Sequence, residues 1–432
     1  MHRYEISPTI AGVLRTELTF GVNVRRGTGW HSGCRRQPRT PCLATWPYDG
    51  DGGCRADLPD AGPATPLYLG VRDGSAADEG IFLMDTDVLI IGGGLAGLSL
   101  ADRLQARGRD WLLAEAQDSF GGRIQSPIIA DARFDLGPGW FWPGQHRMDA
   151  LIRRFGLQVF DQFSKGDRLF QDSGGTVHRN RGYASMEGSL RIAGGMGQVV
   201  AALVGALPAL RLMTGRAVKA LRRTDRNVVA TFDDGQITAR RVVLALPPRI
   251  AAEKINFEPA LSECTVKAAL AIPTWMAGHA KLVAVYDRPY WRDAGLSGDA
   301  ISQKGPLAEI HDASPVDGGP YALFGFVGWP PEVREKHGAE TIAHAVAQLQ
   351  NMFGPALGQP LATQMMDWSQ VPTISTHSDR AGTAGHPAYG LPPDLKDLWD
   401  GCLHFGSTET AAGFGGYLEG ALKAAERLSR AV

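Results

Sequence analysis

Gly92, Gly94 and Gly97 lie in the stretch DVLIIGGGLAGLSLA (87–101), with the G-x-G-x-x-G spacing of a backbone built to cradle a pyrophosphate. In such a turn the first glycine permits the tight bend, the second lets the main chain approach the phosphates, and the third lets a helix pack on the preceding strand. The helix N-terminus, including Ala96, then offers unpaired N–H groups to the negative charge. Glu115 follows at the distance where a carboxylate accepts hydrogen bonds from both ribose hydroxyls. No arginine stands there to hold a 2′-phosphate, which disfavours NADP. Gly121, Gly122 and Arg123 come next, and a guanidinium at Arg123 can pair with a pyrophosphate. The chemistry these residues imply is dinucleotide binding.

The elements that must position them are legible in the same region. Residues 86–91 (TDVLII) read as a buried strand, 95–107 as a helix with Leu98, Ala101 and Leu104 near one stripe, and 110–115 as a second strand ending at Glu115. Further strands are expected at 216–222, 228–232 and 241–246. At least one amphipathic helix is expected within 330–354, and another from Tyr417 onward. Lys281 shares a face with Val283 and Val285 by period two in WMAGHAKLVAVYDRPYW (275–291).

Composition sets the outer bounds. The chain has 432 residues, 44% of them apolar, and a formal net charge of -1, which gives no reason to expect a nucleic-acid partner. No apolar run is long enough to span a bilayer, so no membrane partner is expected. The cysteines, Cys34, Cys42, Cys54, Cys264 and Cys402, form no C-x-x-C pair, and the histidines form no H-x-x-x-H pair; a reduced cytoplasmic setting and no metal site are the expectations. Residues 1–83 carry nine arginines, nine acidic residues and no lysine, with no period that would face a core. They read as a disordered extension or an over-extended start ahead of Met84.

The order strand, G-x-G-x-x-G, helix, strand, Glu, Gly-Gly-Arg resembles the flavin amine oxidase family, and the resemblance runs from Met84 to Val432. It implies FAD as the cofactor. FDLGPGWFWPGQHRM (134–148) is similar to the family segment whose glycine and aromatic positions, here Gly137 and Trp140, approach the flavin. Val218 falls where the family backbone meets the adenine. In LHFGSTETAAGFGGYLEGALKAAERL (403–428) the resemblance places Glu409 near the ribityl or pyrophosphate, and Tyr417 and Leu418 at the start of a helix aimed at the flavin pyrimidine. Such a helix end stabilises the negative charge of reduced flavin. Lys281 matches the family's flavin-facing lysine.

The resemblance implies an α/β fold: a FAD/NAD(P)-binding Rossmann-like domain (84–140, 189–257 and 398–432) intertwined with a mixed-sheet α+β substrate domain (141–188 and 258–397). It implies an amine oxidase, with hydride transfer from the carbon of a C–N bond to flavin, dioxygen as acceptor and peroxide released. Lys281 and Tyr417 are then the catalytic candidates, and Phe141, Trp142, Trp291, Phe324, Phe326, Trp329 and Trp368 candidate pocket aromatics. A FAD-dependent dehydrogenase or desaturase acting on C–C bonds, or a non-catalytic FAD-binding protein, are the alternatives. The chain departs from the family at GHPAYGLPP (385–393). Gly385, His386 and Pro387 offer no thiol for a cysteinyl–flavin bond, so non-covalent FAD is expected. Pro387 stands where the resemblance places one of two substrate-flanking tyrosines, with Tyr417 as the other; either Tyr389 replaces the first or the site is half open.

Overall fold

The computed structural model describes residues 82–181, 186–382 and 385–432. The expected extension, apart from its last two residues, lies outside the described residues, as do Cys34, Cys42 and Cys54. Strand β1 (Phe82–Ile91) begins earlier than the apolar run suggests, because its first residues pair in parallel with Gly235, Gln236 and Ile237. Helix α1 (Leu95–Gln105) follows the glycine turn, and β2 (Trp111–Ala114) returns parallel to β1. The strand Gly235–Leu244 lies on the other side of β1, also parallel. Among the described residues these belong to an eight-stranded sheet, completed by Leu212–Met213 and Leu403–Phe405, by the antiparallel flap Ala220–Arg223 and Val228–Thr231, and by Asn256–Glu258.

Side-chain alternation along β1 divides its two faces. Val88 and Ile90 pack against Leu98, Ala101 and Leu104 of α1, while Leu89 and Ile91 pack into a second core with Val228, Ile237 and Phe405. Burying each such side chain is worth about 1.5–3 kcal/mol. The C-terminal helix Leu418–Ala431 lays Ala421, Leu422, Ala425 and Leu428 onto the α1 side of the same sheet. This fixes where its N-terminus stands.

A second sheet has seven strands among the described residues, in the order Ala362–Asp367, Ala280–Tyr286, Tyr321–Val327, Leu307–Asp312, Leu296–Ser302, Asp167–Gln171 and Val177–Arg179. It is antiparallel except where Leu296–Ser302 meets Asp167–Gln171. Ala280–Tyr286 is buried throughout. Leu282, Ala284 and Tyr286 face the helix Glu340–Phe353, whereas Val283 and Val285 face Phe134 and Leu136 beside the first sheet. Lys281 is therefore on the face that looks toward the first sheet. The architecture is the expected α/β arrangement of a Rossmann-like sheet with a mixed second sheet.

The helical expectation for 330–354 is met by two helices, Pro331–His337 and Glu340–Phe353, separated where Gly338 adopts φ +52°. Two other local expectations change. The strand expected at 216–222 starts only at Ala220, because the Arg216 N–H donates to the Glu115 carbonyl at 2.8 Å and draws the chain along the end of β2. The strand expected at 241–246 is the second half of the ten-residue strand Gly235–Leu244.

Candidate active site

The glycine turn after β1 opens one end of a cavity of about 560 Å³, within the range usual for ligand sites. Gly92 has φ +110°, and a Cβ there would stand 2.8 Å from the Ala245 carbonyl oxygen. At Gly97 a Cβ would stand 2.0 Å from the Gly92 carbonyl oxygen, so this glycine is what lets α1 seat on β1. Gly94 differs: a Cβ there would meet only the Gly121 carbonyl oxygen, at 3.8 Å. Its open side faces the cavity, where a ligand can approach the backbone at the N-terminus of α1.

Glu115 borders the cavity just past β2. Its carboxylate accepts from the Gly93 N–H at 2.6 Å and from the Gln117 N–H at 2.8 Å. These bonds tie the glycine turn to the end of β2. Each carboxylate oxygen has further acceptor capacity. Val218 lies in the irregular stretch before Ala220 and lines the same end.

Arg123, expected to pair with a pyrophosphate, borders the cavity, and its Nη1 donates to Glu409 Oε1 at 2.6 Å and, more weakly, to the Trp275 carbonyl oxygen at 3.3 Å. Burial by itself would depress the guanidinium, but the Glu409 carboxylate beside it holds its pKa above the ordinary arginine value. Glu409 is fully buried and its Oε2 has no partner; Ser407 Oγ, at the cavity wall, has none either. Buried acceptors without donors are costly. Together with the open face at Gly94, they fit a large ligand that brings hydroxyl donors of its own.

The other end of the cavity is aromatic. Lys281 reaches it from the second sheet, and its Nζ donates to the Gly137 carbonyl oxygen at 3.1 Å while lying 3.9 Å from the Phe324 ring centroid. Trp140 stands 5.6 Å from the same Nζ and is held by an Nε1 hydrogen bond to Gln162 Oε1 at 2.8 Å. Burial lowers the Lys281 pKa to about 7, although Asp135 pulls the other way. Gly137 cannot carry a side chain, because a Cβ would stand 1.9 Å from the Arg123 carbonyl oxygen. This packing places the Gly137 carbonyl where Lys281 meets it. His279, two residues before Lys281, also lines the cavity; burial first, and Arg334 second, lower its pKa to about 4, so it is neutral.

Tyr417 precedes the C-terminal helix and borders the cavity with Gly416 and Leu418. Opposite it the structure corrects the sequence reading. Tyr389 turns away, its hydroxyl donating to the Pro273 carbonyl oxygen at 2.9 Å. His386 is stacked on Tyr417 with centroids 4.9 Å apart, its Nε2–H donating to the Gly415 carbonyl oxygen at 2.9 Å. Trp275 closes the group, 4.5 Å from His386.

The residues predicted from sequence converge. Gly92, Gly94, Ala96, Glu115, Gly122, Arg123, Gly137, Trp140, Val218, Lys281, Tyr417 and Leu418 all border the cavity, while Gly97 and Glu409 stand directly behind it. Of the candidate aromatics, Trp142, Phe326 and Trp368 line it too. Phe141 and Trp291 are core, and Trp329 packs on His337 and His344 instead. Sequence reasoning missed Trp275 and His279. Their signal was proximity: both lie within six residues of Lys281 in the stretch already singled out.

A sequence model of the family described as flavin containing amine oxidoreductase matches residues 95–184 and 170–432. Flavin-containing amine oxidase B of Sus scrofa is 22% identical over 455 residues, covering 80% of this chain and 86% of that protein. The fold is similar to that of a putrescine oxidase solved with putrescine, at TM-score 0.68 and 19% identity over 81% of this chain and 99% of that one. It is also similar to that of cyclohexylamine oxidase from Brevibacterium oxydans IH-35A, at TM-score 0.66 and 19% identity, covering 80% of this chain and 98% of that one. The chain belongs to the flavin-containing amine oxidoreductase family and is a flavin-dependent oxidoreductase.

Proposed function

We propose that the protein is an amine oxidase that binds FAD non-covalently and oxidises a C–N bond with dioxygen as the acceptor. The observation that carries this reading is a cavity that joins a dinucleotide cradle at Gly92–Gly94 to an aromatic chamber containing Lys281. FAD supplies the two-electron acceptor chemistry when bound. We assign its holding to the glycine turn, Glu115, Gly122, Val218, the Arg123–Glu409 pair and the helix start at Leu418. The cofactor half is then 84–140, 189–257 and 398–432, and the substrate half 141–188 and 258–397.

The chain's own residues account for the remaining requirements. Trp140, Trp275, Trp368 and Tyr417 exclude water and favour the uncharged amine, the form that gives up a hydride from its carbon. They also orient that carbon in the chamber. Lys281 places a titratable cation at the chamber floor, where negative charge passing to oxygen is stabilised. The helix that starts at Leu418 directs its positive end into the cavity. His386 is held flat on Tyr417 by its bond to Gly415, which supports an unlinked cofactor.

Anaerobic mixing of the yellow protein with a simple monoamine tests the reading. Bleaching of the flavin band is expected. Bleaching only by substrates that lose hydrogen from a C–C bond would assign the protein to the dehydrogenases instead. Acid precipitation of the same sample should leave the flavin in the supernatant; colour in the pellet would contradict the non-covalent assignment.

A further inference from the structure

Asp135 is buried in the segment that carries Gly137, Gly139 and Trp140. Its hydrogen bonds end on one oxygen. Oδ1 accepts from the Met196 N–H at 2.8 Å and from the Ser126 hydroxyl. Met196 leads into the helix Gly197–Gly205, so this half of the carboxylate holds the start of that helix. Oδ2 takes no part in that network. It lies 3.7 Å from the point a Cβ on Gly139 would occupy, and Lys281 Nζ lies 3.7 Å from the same point. Gly139 and Lys281 both border the cavity. The open oxygen and the lysine nitrogen thus meet across the bare side of a glycine. The hydrogen bond that Lys281 makes, to the Gly137 carbonyl oxygen, brings it no charge.

The other charged groups around Lys281 are neutral, paired or set back. On its own strand His279 is neutral. On the strand Leu190–Ile192, Arg191 is buried and donates to the carbonyl oxygens of Ser314 and Ala313, both at 2.8 Å. On the strands Leu296–Ser302 and Leu307–Asp312, Asp299 and Glu309 hold His311 behind Trp140, and Asp312 pairs with Arg292 at 2.8 Å. On the edge strand Ala362–Asp367, Asp367 pairs with Arg334 at 2.7 Å. Glu409 faces Arg123.

A buried ammonium loses its proton unless an opposite charge stands near, and in surroundings poor in water that charge acts over several ångström. Burial lowers the Lys281 pKa to about 7; Asp135 raises it and Arg191 lowers it. Burial also lowers Arg191, and Asp135 is the first of the charges that oppose this. One carboxylate thus faces two buried cations.

We propose that Asp135 is a positioning residue that acts through Lys281: its open oxygen keeps the ammonium charged beside the cavity at neutral pH, and so sets the upper pH limit of the lysine's work on oxygen. The last clause rests on the amine-oxidising reading above. The hold on the charge belongs to the flavin-free protein as well.

A purely structural Asp135 needs only Oδ1. Asp135→Asn separates the two roles, because the amide keeps one oxygen for Met196 and Ser126 and removes the charge. Ser126→Ala is the converse: it loosens the Oδ1 side and leaves the charge.

The test titrates the flavin-free protein, labelled with carbon-13 at the lysine ε-carbons, by NMR. The Lys281 resonance is the one lost in Lys281→Met. Its midpoint should fall by about one pH unit or more in Asp135→Asn and stay in place in Ser126→Ala. If the asparagine variant does not fold, Asp135→Ser, which also keeps an oxygen acceptor, is read in the same way. The flavin-loaded proteins are then reduced with light, so that no amine is needed, and mixed with oxygen. Near neutral pH, reoxidation of Asp135→Asn should be roughly fivefold slower than that of the parent, and the difference should close as pH falls. An unchanged midpoint in Asp135→Asn, an equal fall in Ser126→Ala, or a shifted midpoint with an unshifted rate profile would overturn the proposal. A shifted midpoint with slow reoxidation at every pH in all the proteins would support the hold of Asp135 on Lys281 and count against the oxidase reading instead.

Discussion

His386 lies face to face with Tyr417, the ring centroids 4.9 Å apart and the planes 20° from parallel. The pair is anchored from both sides: His386 Nε2–H donates to the Gly415 carbonyl oxygen, and the Tyr417 carbonyl oxygen accepts from Thr408 Oγ1 at 2.8 Å. Tyr417 therefore enters the chamber as a braced ring.

Removing the brace should loosen substrate binding more than chemistry. An aromatic pair is worth about 0.5–1.5 kcal/mol. His386→Ala is expected to raise KM for a monoamine by roughly twofold to tenfold while kcat falls less. His386→Phe should restore most of the loss. Steady-state kinetics of the two variants check this, and an unchanged KM in the alanine variant would remove His386 from the site.

The Arg123–Glu409 pair predicts a non-additive result. Arg123→Met leaves a fully buried carboxylate without its partner, which costs about 3–5 kcal/mol. Glu409→Gln added to it removes the charge and should recover a large part of that loss. Denaturant unfolding of the flavin-free proteins measures both. A single mutant within about 1 kcal/mol of the parent would show the pair to be dispensable.

Lys281 and His311 make opposite contributions to stability across the alkaline range. Lys281 is depressed to about 7 by burial, while an unfolded lysine keeps its proton to about 10.4. The unfolded chain thus binds the extra proton between these values, and this residue makes stability rise with pH there. His311 is raised to about 9: burial opposes its charge, but hydrogen bonds to Asp299 and Glu309 outweigh it. Its contribution is complete below about 6.5 and is lost as pH rises through 9. Lys281→Met should therefore make the stability of the flavin-free protein fall more steeply from pH 7 to 9. A Tm series at fixed salt reads the slope, and an unchanged slope would place the Lys281 ammonium in a solvated setting.

Much of this site was legible because its signals are local. The glycines around β1 and α1 answer to steric demands within a few residues, as the close approach of Gly97 to Gly92 shows. Period two put Lys281 on the correct face of its strand. What escaped depends on partners far along the chain. Glu409 reaches Arg123 across 286 positions, and no pattern around Arg123 reveals that pairing. Tyr389 packs so closely on Gly415 that a Cβ there would stand 2.2 Å from its own Cβ, and the ring stacked on Tyr417 is that of His386. The break at Gly338 is local, but the amphipathic pattern runs across it.

The most direct measurement of the central claim is the stoichiometry of a single aerobic reaction. A limiting amount of pentylamine is added to the flavin-loaded protein in air-saturated buffer, and consumed amine, aldehyde and hydrogen peroxide are quantified together. The account predicts one aldehyde and one peroxide for each amine consumed. Amine consumed without peroxide, or no amine consumed at all by a protein that retains its flavin, would contradict it.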